Sequence, residues 1–120
     1  MRNQPKYNFF KNTTYALNGL KDIVQHESSF KIELIFVLVL IPVVIFIEIS
    51  VIEKLLLFIT LMGVLIAETI NSAIERVVDL VTLKHHDMAG RAKDVGSTVV
   101  FLSISTCTIT WLVIIFNNIP

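Results

Sequence analysis

Glycine is scarce in this chain, and the shortage is informative. Four glycines in 120 residues form neither a GxxxxGK[ST] loop nor the glycine-rich loop of the protein kinases, so backbone amides cannot cradle phosphates in either way. A single cysteine, Cys107, excludes an intrachain disulfide and a thiolate pair for a metal. It stands in an apolar run and is assigned to packing. Lysine plus arginine equals aspartate plus glutamate, ten of each, so no basic field draws in nucleic acid. Residues 95–116 carry no charge at all. No small-residue cleavage site follows the first apolar run, so the N-terminus is expected to be retained.

What the chain has in abundance is apolar. Hydrophobic residues make up 54% of it, and a mean hydropathy of +0.74 exceeds the usual globular mix. The length suits one domain, residues 1–120, and the patterning predicts an all-α integral membrane protein. Over residues 5–26, Phe9, Phe10, Thr13, Ala16, Leu17, Leu20, Ile23 and Val24 recur at three-and-four spacing, with Lys6, Lys11, Asn18, Lys21 and Asp22 on other faces; this suits an amphipathic helix lying on a bilayer surface. Residues 30–50 predict a first span, with charge confined to Lys31, Glu33 and Glu48 and a bend at Pro42. Residues 54–80 predict a second span that leaves the hydrocarbon near Glu68 and continues as helix into the interface or water. Gly90 and the many charges of residues 80–94 predict a short exposed connection, and residues 95–116 a third span. Arg2, Lys6, Lys11, Lys21 and Lys31 precede the first span, and Arg76, Lys84, Arg91 and Lys93 lie between the second and third, against Lys54 alone in the other connection. The N-terminus and residues 76–94 are therefore expected to face the cytoplasm.

Within "AETINSAIERVVDL", residues 67–80, Glu68, Asn71, Glu75 and Asp79 step by three or four and share one helix face at the cytoplasmic end of the second span. On an ordinary exposed helix such acids mark a solvated end, paired with cations such as Arg76, Arg91 and Lys93. Glu68 argues against that reading, because it lies at the hydrocarbon boundary, where an ionisable group is costly unless it faces a polar cavity and has a function. Carboxylates beside the cations of "GRAKD", residues 90–94, suit Mg²⁺ and a nucleotide: hard oxygens hold the metal, Lys or Arg offsets phosphate charge, and a separate carboxylate takes a hydroxyl proton.

Other features read as structure. His85 and His86 are adjacent and point apart, with no partner four residues on to complete a zinc set. His26 suits an interfacial hydrogen bond, and Glu27, taken by itself, a helix end. "NTT" at 12–14 meets the N-glycosylation pattern on the cytoplasmic side, away from that modification. Ser103, Ser105, Thr106, Thr108 and Thr110 suit close helix packing.

"ETINSAIERVVD" followed by "HHDMAGRAKDVGS" resembles the small integral-membrane diacylglycerol kinases of bacteria, and "YALNGLKD", "HESSFKIE" and "ITWLVIIF" extend the resemblance over nearly the whole chain. The resemblance implies a homotrimer with three transmembrane helices and one surface helix per subunit in the bacterial cytoplasmic (inner) membrane. Its implied reaction moves the γ-phosphate of ATP, with Mg²⁺, to the hydroxyl of membrane diacylglycerol, forming phosphatidic acid. Matched position by position, it implies Glu68 as the general base on the lipid hydroxyl and Glu27 and Glu75 as metal ligands. Tyr15, His86, Lys93 and Asp94, with Glu27 and Glu75, are implied as nucleotide contacts, and Asn71 as their support. Phe30, Lys31, Glu33, Glu68 and Ser97 are implied around the lipid headgroup, and Trp111 beside its acyl region. Where relatives carry an arginine that contacts nucleotide this chain has Asn8, and where they carry an acidic and an aromatic residue before the loop histidine it has Lys84 and His85. Nucleotide affinity therefore does not carry over with the motifs, and Lys84 offers a partial replacement for the missing cation.

Three other readings compete. An undecaprenol kinase of the same architecture differs in its acceptor, and "GRAKDVGS" looks more like the diacylglycerol branch. A proton or cation channel subunit requires charge deep in a span, which the sequence lacks. A noncatalytic membrane scaffold would leave Glu68 without consequence.

Overall fold

A computed structural model describes residues 6–120. Arg2 and the expected start of the surface helix at residue 5 lie outside them. The described residues form four helices and no strand: α1 (Phe9–His26), α2 (Ser28–Phe46), α3 (Val51–Val81) and α4 (Asp87–Asn117). Both α2 and α4 are long and apolar enough to cross a membrane.

Each boundary has a local cause. Asn8 starts α1: its side chain accepts from the Lys11 amide at 3.1 Å, the hydrogen bond expected of an N-cap. Ser50 and Glu53 start α3 as a reciprocal capping box. Only Glu27, in an extended conformation, separates α1 from α2, so this carboxylate is held at a corner. Pro42 sits inside α2 without ending it. The helix stops at Phe46, four residues short of the expected end of the first span, because Ile47 turns extended and the chain reverses toward the Ser50 cap.

The third connection departs most from expectation. Residues 80–94 are largely exposed, as expected, but most of them are helical: only residues 82–86 are outside helix. The His86 imidazole caps α4 by accepting from the Met88 amide at 3.1 Å, and Asp87 follows in the first turn, where a negative charge suits the helix dipole. Gly90 is tolerated within that helix at a cost of about 1 kcal/mol. "GRAKD" is therefore helical, and Arg91, Lys93 and Asp94 have fixed directions.

α3 makes its broadest contact with α4, then with α2, while α1 meets α2 over a short stretch. Phe30, Val37 and Val44, seven residues apart, turn one stripe of α2 toward Leu57, Leu61 and Leu65 of α3. Trp111 closes the α4 side, its indole Nε1 donating to the Leu57 carbonyl at 3.3 Å. At the far end, Asn118 donates to Glu53 Oε2 at 2.7 Å and Lys54 Nζ to the Ile45 carbonyl at 2.7 Å, tying both hairpins there. Phe9, Phe10, Leu17 and Leu20 remain exposed on α1, an apolar face free to meet a bilayer surface.

Two expected outcomes follow from the packing. A Cβ at Gly96 would collide with Asn71 Oδ1 and stand 3.5 Å from Ile74 Cδ1, whereas one at Gly90 meets nothing within 4 Å. Gly96→Ala is expected to destabilise by about 1–3 kcal/mol through overpacking, and Gly90→Ala to be neutral or stabilising by up to about 1 kcal/mol; thermal unfolding in detergent distinguishes them, and equal shifts would contradict the close α3–α4 approach. The second concerns Asp22, whose carboxyl the Arg76 guanidinium holds below its ordinary 3.8, with a smaller contribution from His26. A carboxylate lowered in the folded state stabilises fully above its unfolded value and loses that contribution as pH falls through the lowered one. Amide exchange in α1 should therefore quicken below about pH 4, and Asp22→Asn should remove this acid dependence. An unchanged acid response in the variant would show that the pair does not dock α1.

Candidate functional site

The C-terminal half of α3 carries polar side chains on several faces, turned toward different helices. Toward the α1–α2 corner, Ser72 Oγ donates to Glu27 Oε1 at 2.8 Å, and Arg76 Nη2 reaches the same oxygen at 3.4 Å while Nη1 pairs with Asp22. Ser72 is the buried polar residue of the core. Its hydroxyl spends its one hydrogen on Glu27, and Arg76 bridges two acids with its planar fork. Glu27 is thus held in place and 28% exposed. The sequence marks it only by its position between two helices; its holders, Ser72 and Arg76, sit one residue beyond Asn71 and Glu75 of the acidic stripe.

Toward α4, Asn71 Nδ2 donates to Glu75 Oε1 at 3.2 Å, while Asn71 Oδ1 is buried without a hydrogen-bond partner against the bare Cα of Gly96. Asn71 thereby orients Glu75. One turn on, Lys93 Nζ donates to Asp79 Oδ1 at 2.7 Å, so the solvated-pair reading of the acids holds for Asp79. Lys93 also lines a cleft of about 320 Å³ between the end of α3 and the start of α4, with Asp79, Lys84, His85 and His86. Two of the expected nucleotide contacts, His86 and Lys93, thus share one opening with Lys84. Asp94 is exposed beside it on α4. Tyr15 and Glu27 do not line this cleft. Glu27 belongs to the α1–α2 corner, and Tyr15 is 37% exposed on α1.

Toward α2, the Glu68 carboxyl lies within hydrogen-bonding reach of Glu33, and both are half-buried. Lys31 and Ser97 are exposed, while Phe30 is 2% exposed in the core. Of the expected headgroup residues, Glu33 and Glu68 therefore meet directly, and Phe30 and Trp111 have packing roles within the chain. Asn8, standing where a nucleotide-contacting arginine was looked for, is occupied as the α1 cap.

Among the described residues no three His, Cys, Asp or Glu side chains converge as a cage for a metal. The donor chemistry fits a hard divalent cation of the kind that takes one or two carboxylates and completes its shell with water and phosphate. Glu27 and Glu75 are each held through Oε1 by neighbouring residues of α3, Ser72 and Asn71, and those bonds leave each Oε2 uncommitted. A long, partly apolar scaffold thus carries two carboxylates held from α3, a lysine-lined cleft, and the contact between Glu33 and Glu68.

The profile described as prokaryotic diacylglycerol kinase matches residues 14–115. The chain is 38% identical over 104 residues to the diacylglycerol kinase of Haemophilus influenzae, covering 87% of this chain and 88% of the relative. It is 35% identical over 104 residues to the diacylglycerol kinase of Escherichia coli K12, covering 87% and 85%. Against the undecaprenol kinase of Bacillus subtilis it is 35% identical over 107 residues, covering 88% and 86%. The match runs from the middle of α1 to the end of α4 and takes in Glu27, Glu68, Asn71, Glu75 and Lys93, so this chain belongs to the prokaryotic diacylglycerol kinase family.

Proposed function

We propose that this protein transfers the γ-phosphate of ATP to the hydroxyl of sn-1,2-diacylglycerol, forming phosphatidic acid and ADP at the cytoplasmic face of the bacterial inner membrane. Glu68 carries this reading: it is a half-buried carboxyl next to α2, just past the middle of a helix whose next turns bear Asn71, Glu75 and Asp79. An apolar alcohol and a water-borne nucleotide can meet only at such a boundary, and reaction there gains from orientation and fixed charge. α3 has 31 residues, or roughly 46 Å at 1.5 Å per residue, long enough to cross a hydrocarbon core of about 30 Å and still project a polar end. It is the second of three proposed spans, with α2 and α4, in a homotrimer whose N-terminus faces the cytoplasm.

In the proposed reaction Glu68 takes the proton of the lipid hydroxyl as its oxygen attacks the γ-phosphorus; the bond from that phosphorus to the bridging oxygen breaks, and ADP leaves with the electron pair. Lys93, released from Asp79 or shared with it, and His86 bind phosphate and nucleotide, with Tyr15 and Asp94 at the base and sugar. Glu27 and Glu75 would hold Mg²⁺, which supplies charge neutralisation for the phosphates. Lys31, Glu33 and Ser97 orient the headgroup, with Phe30 and Trp111 shaping the apolar wall. An undecaprenol acceptor is the second reading, favoured by the Bacillus subtilis relative that carries that name.

Protein in mixed micelles with Mg·ATP and either diacylglycerol or undecaprenol is expected to release ADP and label the diacylglycerol preferentially; a phosphorylated undecaprenol alone would move the chain to the other branch, and neither product would reject the kinase. Glu68→Gln is expected to lower kcat by about 10²–10⁴, the range of lost general-base catalysis, with oligomer and nucleotide binding intact. Undiminished turnover would remove Glu68 from its role.

A further inference from the structure

Gly96 is buried near the start of α4, against the polar part of α3. The Asn71 side chain lies in that seam between two unlike neighbours. Its Nδ2 donates to Glu75 Oε1 at 3.2 Å, while its Oδ1 is fully enclosed without a hydrogen-bond partner, in the space a Cβ at Gly96 would take. Only one direction of the amide suits these neighbours. A carboxylate accepts and does not donate, so the nitrogen must face Glu75 and the oxygen must point away from it, into α4. Enclosing that oxygen unpaired is unfavourable, so packing, rather than a hydrogen bond of its own, keeps it in place.

Glycine at 96 makes the room. Its bare Cα lets the amide approach the α4 backbone closely, beside Ile74 Cδ1, which stands 3.5 Å from where a Cβ would be. Gly63, farther along α3, differs: a Cβ there would meet Ser103 Oγ at 3.7 Å, an ordinary van der Waals contact, so no side chain occupies the place of its missing one.

We propose that Gly96 is a positioning residue: the slot left by its missing side chain holds the Asn71 amide with its N–H toward Glu75, and so keeps Glu75 Oε1 occupied and Oε2 open to a divalent cation. This rests on the reading of Glu75 as a metal ligand. α4 thereby takes part in metal binding through its backbone, without contributing a ligand. Any side chain at 96 displaces the amide from the seam, and Glu75 then loses the partner that orients it.

The test uses the full chain in mixed micelles, with lipid phosphorylation followed as Mg²⁺ is varied. Gly96→Ala should raise the apparent Mg²⁺ constant about tenfold, the scale of losing a group that orients a metal ligand, while KM for diacylglycerol stays near the parental value. Gly63→Ala, the same change elsewhere on the α3–α4 contact, should leave both constants as they are. Asn71→Ala should match Gly96→Ala, and the two together should be no worse than either, because they break one contact. Thermal unfolding in detergent gives a readout free of catalysis. Gly96→Ala should lower the midpoint in the parent and far less where Asn71 is already alanine, since the atom in its way is gone; the double variant thus serves even where Gly96→Ala alone fails to fold. A folded Gly96→Ala protein with the parental Mg²⁺ constant, losses that add in the double variant, or a double variant no more stable than Gly96→Ala alone would each overturn the proposal. A parental Mg²⁺ constant in Glu75→Gln would instead sink the metal-ligand reading, while the unfolding comparison still reports whether Gly96 holds Asn71.

Discussion

The grip of α3 on Glu27 is the interaction on which the rest of the polar end depends. Glu27 is the single extended residue between α1 and α2, and without a partner it would be a mobile corner. Ser72 and Arg76 take its Oε1 from one side while Arg76 takes Asp22 from the other, so three elements close around a single guanidinium and a single hydroxyl. Exposed ion pairs contribute little by themselves. Here the buried Ser72 gives the cluster a fixed base, and the consequence is geometric: the carboxylate at the α1–α2 corner is fixed against α3.

From that clamp the polar end divides into three sectors around α3. The corner sector holds Glu27, the α4 sector holds Glu75 through Asn71, and the α2 sector sets Glu68 against Glu33. Side chains one residue apart on a helix are about 100° apart, so neighbouring positions face different helices. The apolar end works differently. There Phe30, Val37 and Val44 pack on leucines of α3 and Trp111 donates to the Leu57 carbonyl, holding the helices in register so that the sectors stay aligned.

The helices and their order were legible because apolar runs and three-and-four spacing are strong local signals. The spacing of Glu68, Asn71 and Glu75 was legible for the same reason, while the bond from Asn71 to Glu75 is a detail the spacing did not name. The start of α4 was not, because Gly90 and a dense run of charges read as punctuation, while the cap that overrides them is a histidine side chain, His86, outside the usual set of capping residues. Ser72 and Arg76 were hidden for another reason: a helical face read from one chain segment shows which residues align, and says nothing about the partner that a distant corner presents. Gly96 likewise became meaningful only when α4 was seen to bring its backbone against Asn71.

In the proposed reaction Glu27 serves because Ser72 and Arg76 hold it ready for a divalent cation. Ser72→Ala removes one hydroxyl from that grip and nothing from the proposed reacting groups. The most direct measurement is the Mg²⁺ dependence of lipid phosphorylation in this variant. An apparent Mg²⁺ constant raised about tenfold or more, the usual effect of losing a group that orients a metal ligand, with the unfolding midpoint little changed, is the predicted result. A Mg²⁺ dependence identical to that of the parent protein would contradict it.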